Sequence, residues 1–396
     1  EEKRPFFIEG STILRFGRGG AAGFTNYNWS DPSFFYSRRI GRTPQGSVTH
    51  AGFMSIPDRT TILGAAKVSG RTANGWSLAA LTAITDREYG RVDSAGNRFK
   101  EEIEPMTFYG VVRSQRTFDE SRQALGIIAT LVERESGEPR LEKNLNRRAV
   151  SLGFDGWTFL DPEKDWVLTG WTGMTSVHGS RERITDLQLS PQHYFQKPDV
   201  NHVSLDSNAT SLTGWAGRMW LSKHKGNWRF NVAFGAVNPS FESNDLGFHN
   251  YTDVINAHIY TGYLWFEPDA VFRSKSVAIA THRDYSFGGL KTGETYYAYA
   301  YGELLSYWAG SIYAGYNVEV FDDRRTRGGP LMKSLQSEFV SLSFNSDTRQ
   351  DVHADLNINA SQGRSGGRNF GMDVTLNWKA STTLNLSFGP SYYRTH

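Results

Sequence analysis

Three features of the sequence predict an all-β, antiparallel fold. The first is an alternation that runs without a slip through DVHADLNINA, residues 351–360. Asp351, His353, Asp355, Asn357 and Asn359 fall on one side of an extended chain, and Val352, Ala354, Leu356, Ile358 and Ala360 on the other, because successive side chains of a strand point to opposite faces. The second is composition: 40 Gly, 18 Tyr, 25 Phe and 11 Trp among 396 residues, 21% of them charged, describe a turn-rich, aromatic-rich sheet protein. The third is the spacing of turn residues, which cuts the chain from about residue 60 onward into roughly sixteen segments.

In order, these segments are 60–72, 76–89, 106–118, 122–135, 147–160, 164–178, 211–223, 228–238, 253–266, 272–284, 294–307, 310–321, 335–345, 350–361, 369–379 and 383–394. No long amphipathic helical pattern interrupts them. They exceed the usual five or six residues of a soluble strand and match the roughly nine to eleven that a tilted strand needs to cross a bilayer.

The connections alternate between tight and long. Tight ones are Ala73-Asn74-Gly75, Asp119-Glu120-Ser121, Asp161-Pro162-Glu163, His224-Lys225-Gly226-Asn227, Glu267-Pro268-Asp269-Ala270, Ala309-Gly310, Asn345 to Arg349, and Lys379-Ala380-Ser381-Thr382. They use the Asn-Gly, Asp-Pro and Gly-Asn chemistry of short hairpins. Long polar loops lie near 90–105, 136–146, 179–210, 239–252, 285–293, 322–334 and 362–368. A transmembrane, up-and-down β-barrel of the bacterial outer membrane has this parity, with short periplasmic turns and long external loops. Val352, Leu356 and Ile358 then meet lipid, and Asp351, His353 and Asp355 line a wet interior. Residues 370–378 repeat the pattern, with Met372, Val374 and Leu376 outward and Asp373 inward. Aromatics near strand ends, such as Trp265, Trp308, Tyr392 and Tyr393, suit an interfacial girdle.

Charge and composition exclude other classes. The 43 basic and 41 acidic residues leave a net charge of +2, which gives no footprint for nucleic acid. Cysteine is absent, so disulfides, thiolate metal sites and cysteine nucleophiles are excluded together. A mean hydropathy of −0.49 and the lack of a long apolar run exclude helical membrane spans. A barrel is not excluded, since its strands give lipid only every second residue.

Parity also makes demands at both ends. The strand at 60–72 leads into a tight turn and so starts outside, which requires residues 1–59 to cross the membrane. That stretch is Gly- and Arg-rich, with Arg15, Arg18, Arg38, Arg39 and Arg42, and its FGRGGAAG run is poor strand material. It is expected to be a lumenal plug. At the other end, an outward strand at 383–394 calls for at least one more strand to return.

Several stretches carry a resemblance: EKRPFFIEG (2–10), FFYSRRIGR (34–42), ILGAAKVSGRTANGWSLAAL (62–81), FQKPD (195–199), TSLTGWAGR (210–218) and NPSFESNDLGF (238–248). In this order they resemble the outer-membrane-barrel family called domain of unknown function 5916, whose members usually carry a carbohydrate-binding family 9-like domain just upstream. The resemblance implies that an N-terminal module precedes RPFFIEG in such proteins, that carbohydrate is a partner through it, and that further strands follow His396.

Candidate chemistry is sparse. Arg38, Arg39 and Arg42, threaded into a lumen, are expected to pair with Asp351, Asp355, Asp373, Glu319 and Glu338. His353 with Asp355, and His282 with Asp284, offer too few ligands for a metal. Glu101, Glu102 and Glu104 sit in a polar loop, and no nucleophile elbow, zincin, P-loop or dinucleotide motif is present. Aromatics and amides gather in SPQHYFQKPD and FESNDLGFHNYTD, as they do both in sugar sites and in loops packed over a barrel mouth. The expectation is therefore an outer-membrane barrel without catalytic residues, metal or cofactor, embedded in lipid and acting as a channel or as a membrane anchor. The alternatives are a non-conducting barrel that docks other envelope proteins, and part of a glycan-acting enzyme.

Overall fold

The computed structural model describes residues 2, 4–17, 26–50, 52–94, 96–135, 137–223 and 225–396. Arg18, much of the FGRGGAAG run and His224 lie outside the described residues. All sixteen expected segments form strands, and each pairs antiparallel with the next in a single seventeen-stranded meander. It runs from Ile62–Arg71 and Trp76–Thr85 to Val352–Gly363 and Arg368–Lys379, and ends in Asn385–Phe388 and Ser391–Thr395. The seventeenth strand arises because the segment expected at 383–394 is broken at Gly389-Pro390, where proline has no N–H for the ladder.

The closed barrel expected from the sequence is not found. Among the described residues no pairing joins Ile62–Arg71 to Ser391–Thr395, so the sheet keeps two edges. Among the described residues no helix is long and apolar enough to cross a membrane, which bears only on helical spans.

The long connections hold structure that their polar composition concealed. Residues in the first of them form a hairpin, Glu88–Ser94 with Asn97–Glu104, extended by Phe53–Ser55. Short helices occupy two others, Pro139–Asn144 and Arg181–Leu189, the second capped by Ser180 Oγ, which accepts from the Arg183 N–H at 3.1 Å. A small hairpin, Val320–Asp322 with Met332–Ser334, fills another. The strict parity of long and tight connections does not hold at 285–293 and 362–368. There the strands run on to Tyr285, Lys291, Gly363 and Arg368, and tight turns with Gly289 at φ 81° and Gly366 at φ 92° close them.

The two faces of the meander differ. Along Trp166–His178 every second residue, from Val167 to Val177, is buried, and Arg148–Phe159 and Ser211–Lys223 alternate in the same way. The opposite face is apolar and exposed, through Val112, Leu125, Leu152, Met174, Met219, Phe234, Ile259, Ile279, Ile312 and Phe344. The core lies between the inner face and the N-terminal segment, where Phe16, Phe34, Trp171 and Phe241 pack edge to face at centroid distances of 4.9 to 6.0 Å.

Candidate functional site: the filled inner face

The N-terminal segment lies along the inner face and folds back on itself, with Glu2 accepting from Ser37 Oγ at 2.7 Å and Arg4 donating to the Ile40 and Ser37 carbonyls at 2.7 and 3.1 Å. Phe6 and Glu9 accept from Lys67 Nζ, and Gly10 lies against Ser69, both near the tight turn that follows Arg71. Mid-sheet, the Arg15 carbonyl accepts from Arg113 Nε at 3.2 Å and the Gly17 N–H donates to Asp155 at 2.8 Å. Tyr27 packs on His258 and Tyr297 at 5.2 and 5.1 Å, and the guanidinium of Arg218 lies 4.4 Å over Trp29. At the long-loop end Ser33 bridges to Phe248, and the Tyr36 N–H donates to the Leu246 carbonyl at 2.7 Å.

Two glycines make this approach possible. Gly153 and Gly173 are direct neighbours on adjacent strands, both facing inward. A Cβ on Gly153 would stand 2.6 Å from Phe16 Cζ, and one on Gly173 would stand 2.8 Å from both Phe34 Cε1 and the Leu152 carbonyl oxygen. The bare backbone is the floor on which the two rings sit.

Charges on the inner face are paired rather than solvated. Arg113 meets Asp155 at 2.8 Å, Arg134 meets Asp245 at 2.6 Å, and Lys197 lies 2.5 Å from Asp323 and 3.5 Å from Asp253, with all of these side chains nearly fully covered. Arg218 donates to Asn256 at 2.7 Å, and Asn256 donates in turn to Asp284.

The sequence-derived residues fall into three groups. Val352, Leu356, Ile358, Met372, Val374 and Leu376 share the apolar face, paired across the strands as Leu356 with Val374 and Ile358 with Met372. His353, Asp355 and Asp373 share the opposite face: Asp355 accepts from Asn345 at 2.6 Å and from Asn377 at 3.2 Å, and Asp373 accepts from the Tyr393 hydroxyl at 2.6 Å. Asp351, Glu319 and Glu338 lie elsewhere. Asp351 is exposed in the turn before its strand, and Glu319 meets Lys333 at 3.1 Å beside the small loop hairpin. Glu338 stands opposite Tyr316 and Gln362, in the same outward row as Val340, Leu342 and Phe344, and so on the apolar side.

The expected pairing of the arginines with these carboxylates is not made. Arg38 is exposed. Arg39 donates to the Gly247 carbonyl at 2.9 Å and to Asn244 Oδ1 at 3.0 Å, and Arg42 lies near Arg134 and Asp245. The segment reaches the long-loop end beside the first half of the meander, whereas Asp355 and Asp373 belong to its last strands.

One buried constellation escaped the sequence reading. His193, in the turn after helix Arg181–Leu189, meets Glu242 and His249 from the connection between Trp228–Val237 and Val254–Trp265. Their candidate ligand atoms all lie within 4.8 Å of one another. Burial pushes the Glu242 carboxyl up, but the His193 hydrogen bond and the nearby histidine charges outweigh it and hold the group at about 2. Burial takes His249 down to about 4. The aromatics of the same two loops are interior: Phe241 is fully buried, and Tyr194 and Phe195 nearly so. They pack rather than offer a surface. The E-x6-H spacing in FESNDLGFH was the one available signal, and it lacked the third ligand, which is 49 residues away in sequence.

No curated protein matches the chain. The family model Domain of unknown function (DUF5916) matches residues 1–141 and 177–396, most of the chain, and the protein belongs to that family.

Proposed function

We propose that the meander is the wall of a bacterial outer-membrane β-barrel whose lumen is filled by the N-terminal segment, so that the protein serves as a membrane anchor or restricted channel rather than as an open pore. The observation that carries this reading is the exposed apolar face, which continues across the strands opposite a face of paired charges. A soluble protein exposes apolar patches of a few hundred Å² at most, and a belt of this extent needs a cover. Along Val254–Trp265 the outward row is Ile255, Ala257, Ile259, Thr261, Tyr263 and Trp265. At about 3.3 Å per residue it covers roughly 33 Å, and a tilt of about 40° reduces this to about 25 Å, the height of the lipid-facing band of such barrels. Trp76, Trp228, Trp265, Trp308 and Trp378, all partly exposed, stand beside the tight turns, where an interfacial girdle belongs.

The reading requires the two sheet edges to meet each other or further strands, and it retains the family expectation that a carbohydrate-binding module is displayed by the anchor. Because the chain has no cysteine, single-cysteine variants test it directly. In intact outer membranes, Ile279→Cys and Leu125→Cys should resist a water-soluble maleimide, while Asn208→Cys in a long loop reacts. Equal labelling at all three positions would overturn the membrane assignment.

A further inference from the structure

We propose that His193, Glu242 and His249 form a binding site for a divalent transition metal of the zinc class, which staples two long loops together over the inner face. This inference does not rest on the membrane reading. The side chains of His193, Glu242 and His249 are 0%, 3% and 1% exposed. His193 Nε2 lies 3.2 Å from Glu242 Oε2, and His249 Nδ1 lies 3.9 Å from Glu242 Oε1. Two donors each about 2.1 Å from a tetrahedrally coordinated zinc stand about 3.4 Å apart, so the His193–Glu242 pair is at ligand spacing and His249 has to close by a few tenths of an ångström to share the ion.

The hydrogen bonds orient the rings for it. His193 Nδ1 is 2.7 Å from the Pro239 carbonyl oxygen, which can only accept, so the proton of a neutral ring sits on Nδ1. The hydrogen bond to Glu242 then needs a second proton on Nε2, and in the neutral ring Nε2 presents a lone pair toward the carboxylate oxygen, an arrangement that a cation in place of that proton satisfies. The carbonyl partner behind the ring is the usual second support of a metal-bound histidine. At His249, Asn244 Nδ2 lies 3.0 Å from Nδ1, while Asn244 Oδ1 accepts from Arg39 and from the His249 N–H. The amide is thereby fixed with its nitrogen toward the ring, and with the Ser243 N–H also facing Nδ1 at 3.3 Å that atom carries the lone pair, which a bound ion would take over from these two donors. Glu242 is held by its own N–H, which donates to Thr175 Oγ1 at 2.9 Å, and by the Asn244 N–H, which donates to Oε1 at 2.6 Å.

Two imidazoles and one carboxylate select zinc-class ions over calcium or magnesium, which take oxygen ligands, and leave one tetrahedral position for water. Through Asn244 the site also touches Arg39, so a bound ion would tie the N-terminal segment to the loops it meets.

The test uses the full chain, purified without a histidine tag, stripped with chelator and titrated with Zn2+ alone. One Zn2+ per chain is expected, with visible d–d bands of tetrahedral character when Co2+ replaces it. Glu242→Gln keeps the size of the side chain and should weaken uptake at least tenfold, and His249→Gln should do the same. The folded state of each variant is checked by its strand circular dichroism. A folded wild-type chain that binds no stoichiometric Zn2+, or folded variants that bind it as tightly as wild type, would overturn the proposal and leave a buried hydrogen-bonded triad.

Discussion

At the scale of single residues, the inner face is decided by where side chains are missing as much as by where they are present. Gly153 and Gly173 could carry alanine or valine on the grounds of strand propensity, but a Cβ at Gly173 would meet Phe34 Cε1 and the Leu152 carbonyl at 2.8 Å. One neighbour is a fully buried core ring and the other is backbone of the adjacent strand, so both Phe34 and the ladder at Leu152 must shift. Gly173→Val is therefore expected to displace Phe34 and loosen the N-terminal segment, with the ladder disturbed only locally at Leu152. Overpacking of this kind costs about 1 to 3 kcal/mol. Limited proteolysis should cut the variant near Phe34 faster than wild type, with strand content unchanged. Equal protection in both would show that Phe34 does not hold the segment in place.

At the scale of elements, the strands were legible because a period of two survives in almost every segment, and a strand with one covered face cannot slip by a residue without exposing its whole buried row. Glu338 shows the same rule from the other side: its place in the row of Val340, Leu342 and Phe344 puts it on the apolar face, although its charge alone suggests the lumen. Loops were read less well. The hairpin Glu88–Ser94 with Asn97–Glu104 has the composition of a polar loop, and what stabilises it is contact with residues 46–50, which no local pattern reveals. Glu101 is the centre of that contact, accepting from the Thr49 N–H and Thr49 Oγ1 at 3.0 Å each and from Arg140 at 2.9 Å. Burial raises its carboxyl, but the Thr49 and His50 hydrogen bonds lower it further, to about 2 from an ordinary value of 4.5. A folded-state value below the unfolded one means that the contact stabilises fully above about pH 4.5 and is lost as pH falls from there toward 2. Residues 46–50 should thus be protected from protease at neutral pH and be released below about pH 4.5, whereas Glu101→Gln should release them already at pH 7. A variant as protected as wild type at neutral pH would show that the carboxylate is not what fastens this loop. The buried His193, Glu242 and His249 cluster lay beyond sequence reasoning for a related reason: its members meet only after two connections fold over the same end of the sheet.

At the scale of the whole molecule, the N-terminal segment and the meander make sense only together. A closed barrel of about sixteen strands would enclose a lumen wide enough for water, and in the proposed barrel that volume is taken by the N-terminal segment, which lies beside Lys67, Arg113 and Leu246. Its aromatic residues cover Trp171 and the glycine floor, but much of what it touches is polar: Arg113 with Asp155, Asn256 with Asp284, and Arg218. Those groups pair with one another within the wall, and the strand ladder does not run through the segment, so the wall keeps its hydrogen bonds if the segment is removed while Ile128, Trp171 and the glycine floor lose their cover. Deletion of residues 11–42 is accordingly expected to leave a folded barrel and to raise single-channel conductance in planar bilayers well above that of the intact chain. The comparison should be made at equal insertion, with heat-modifiable migration on gels as the measure of folding. If the deleted protein folds and its conductance does not change, the segment lies off the conducting path, and restriction by the N-terminal chain must be abandoned even if the membrane assignment stands.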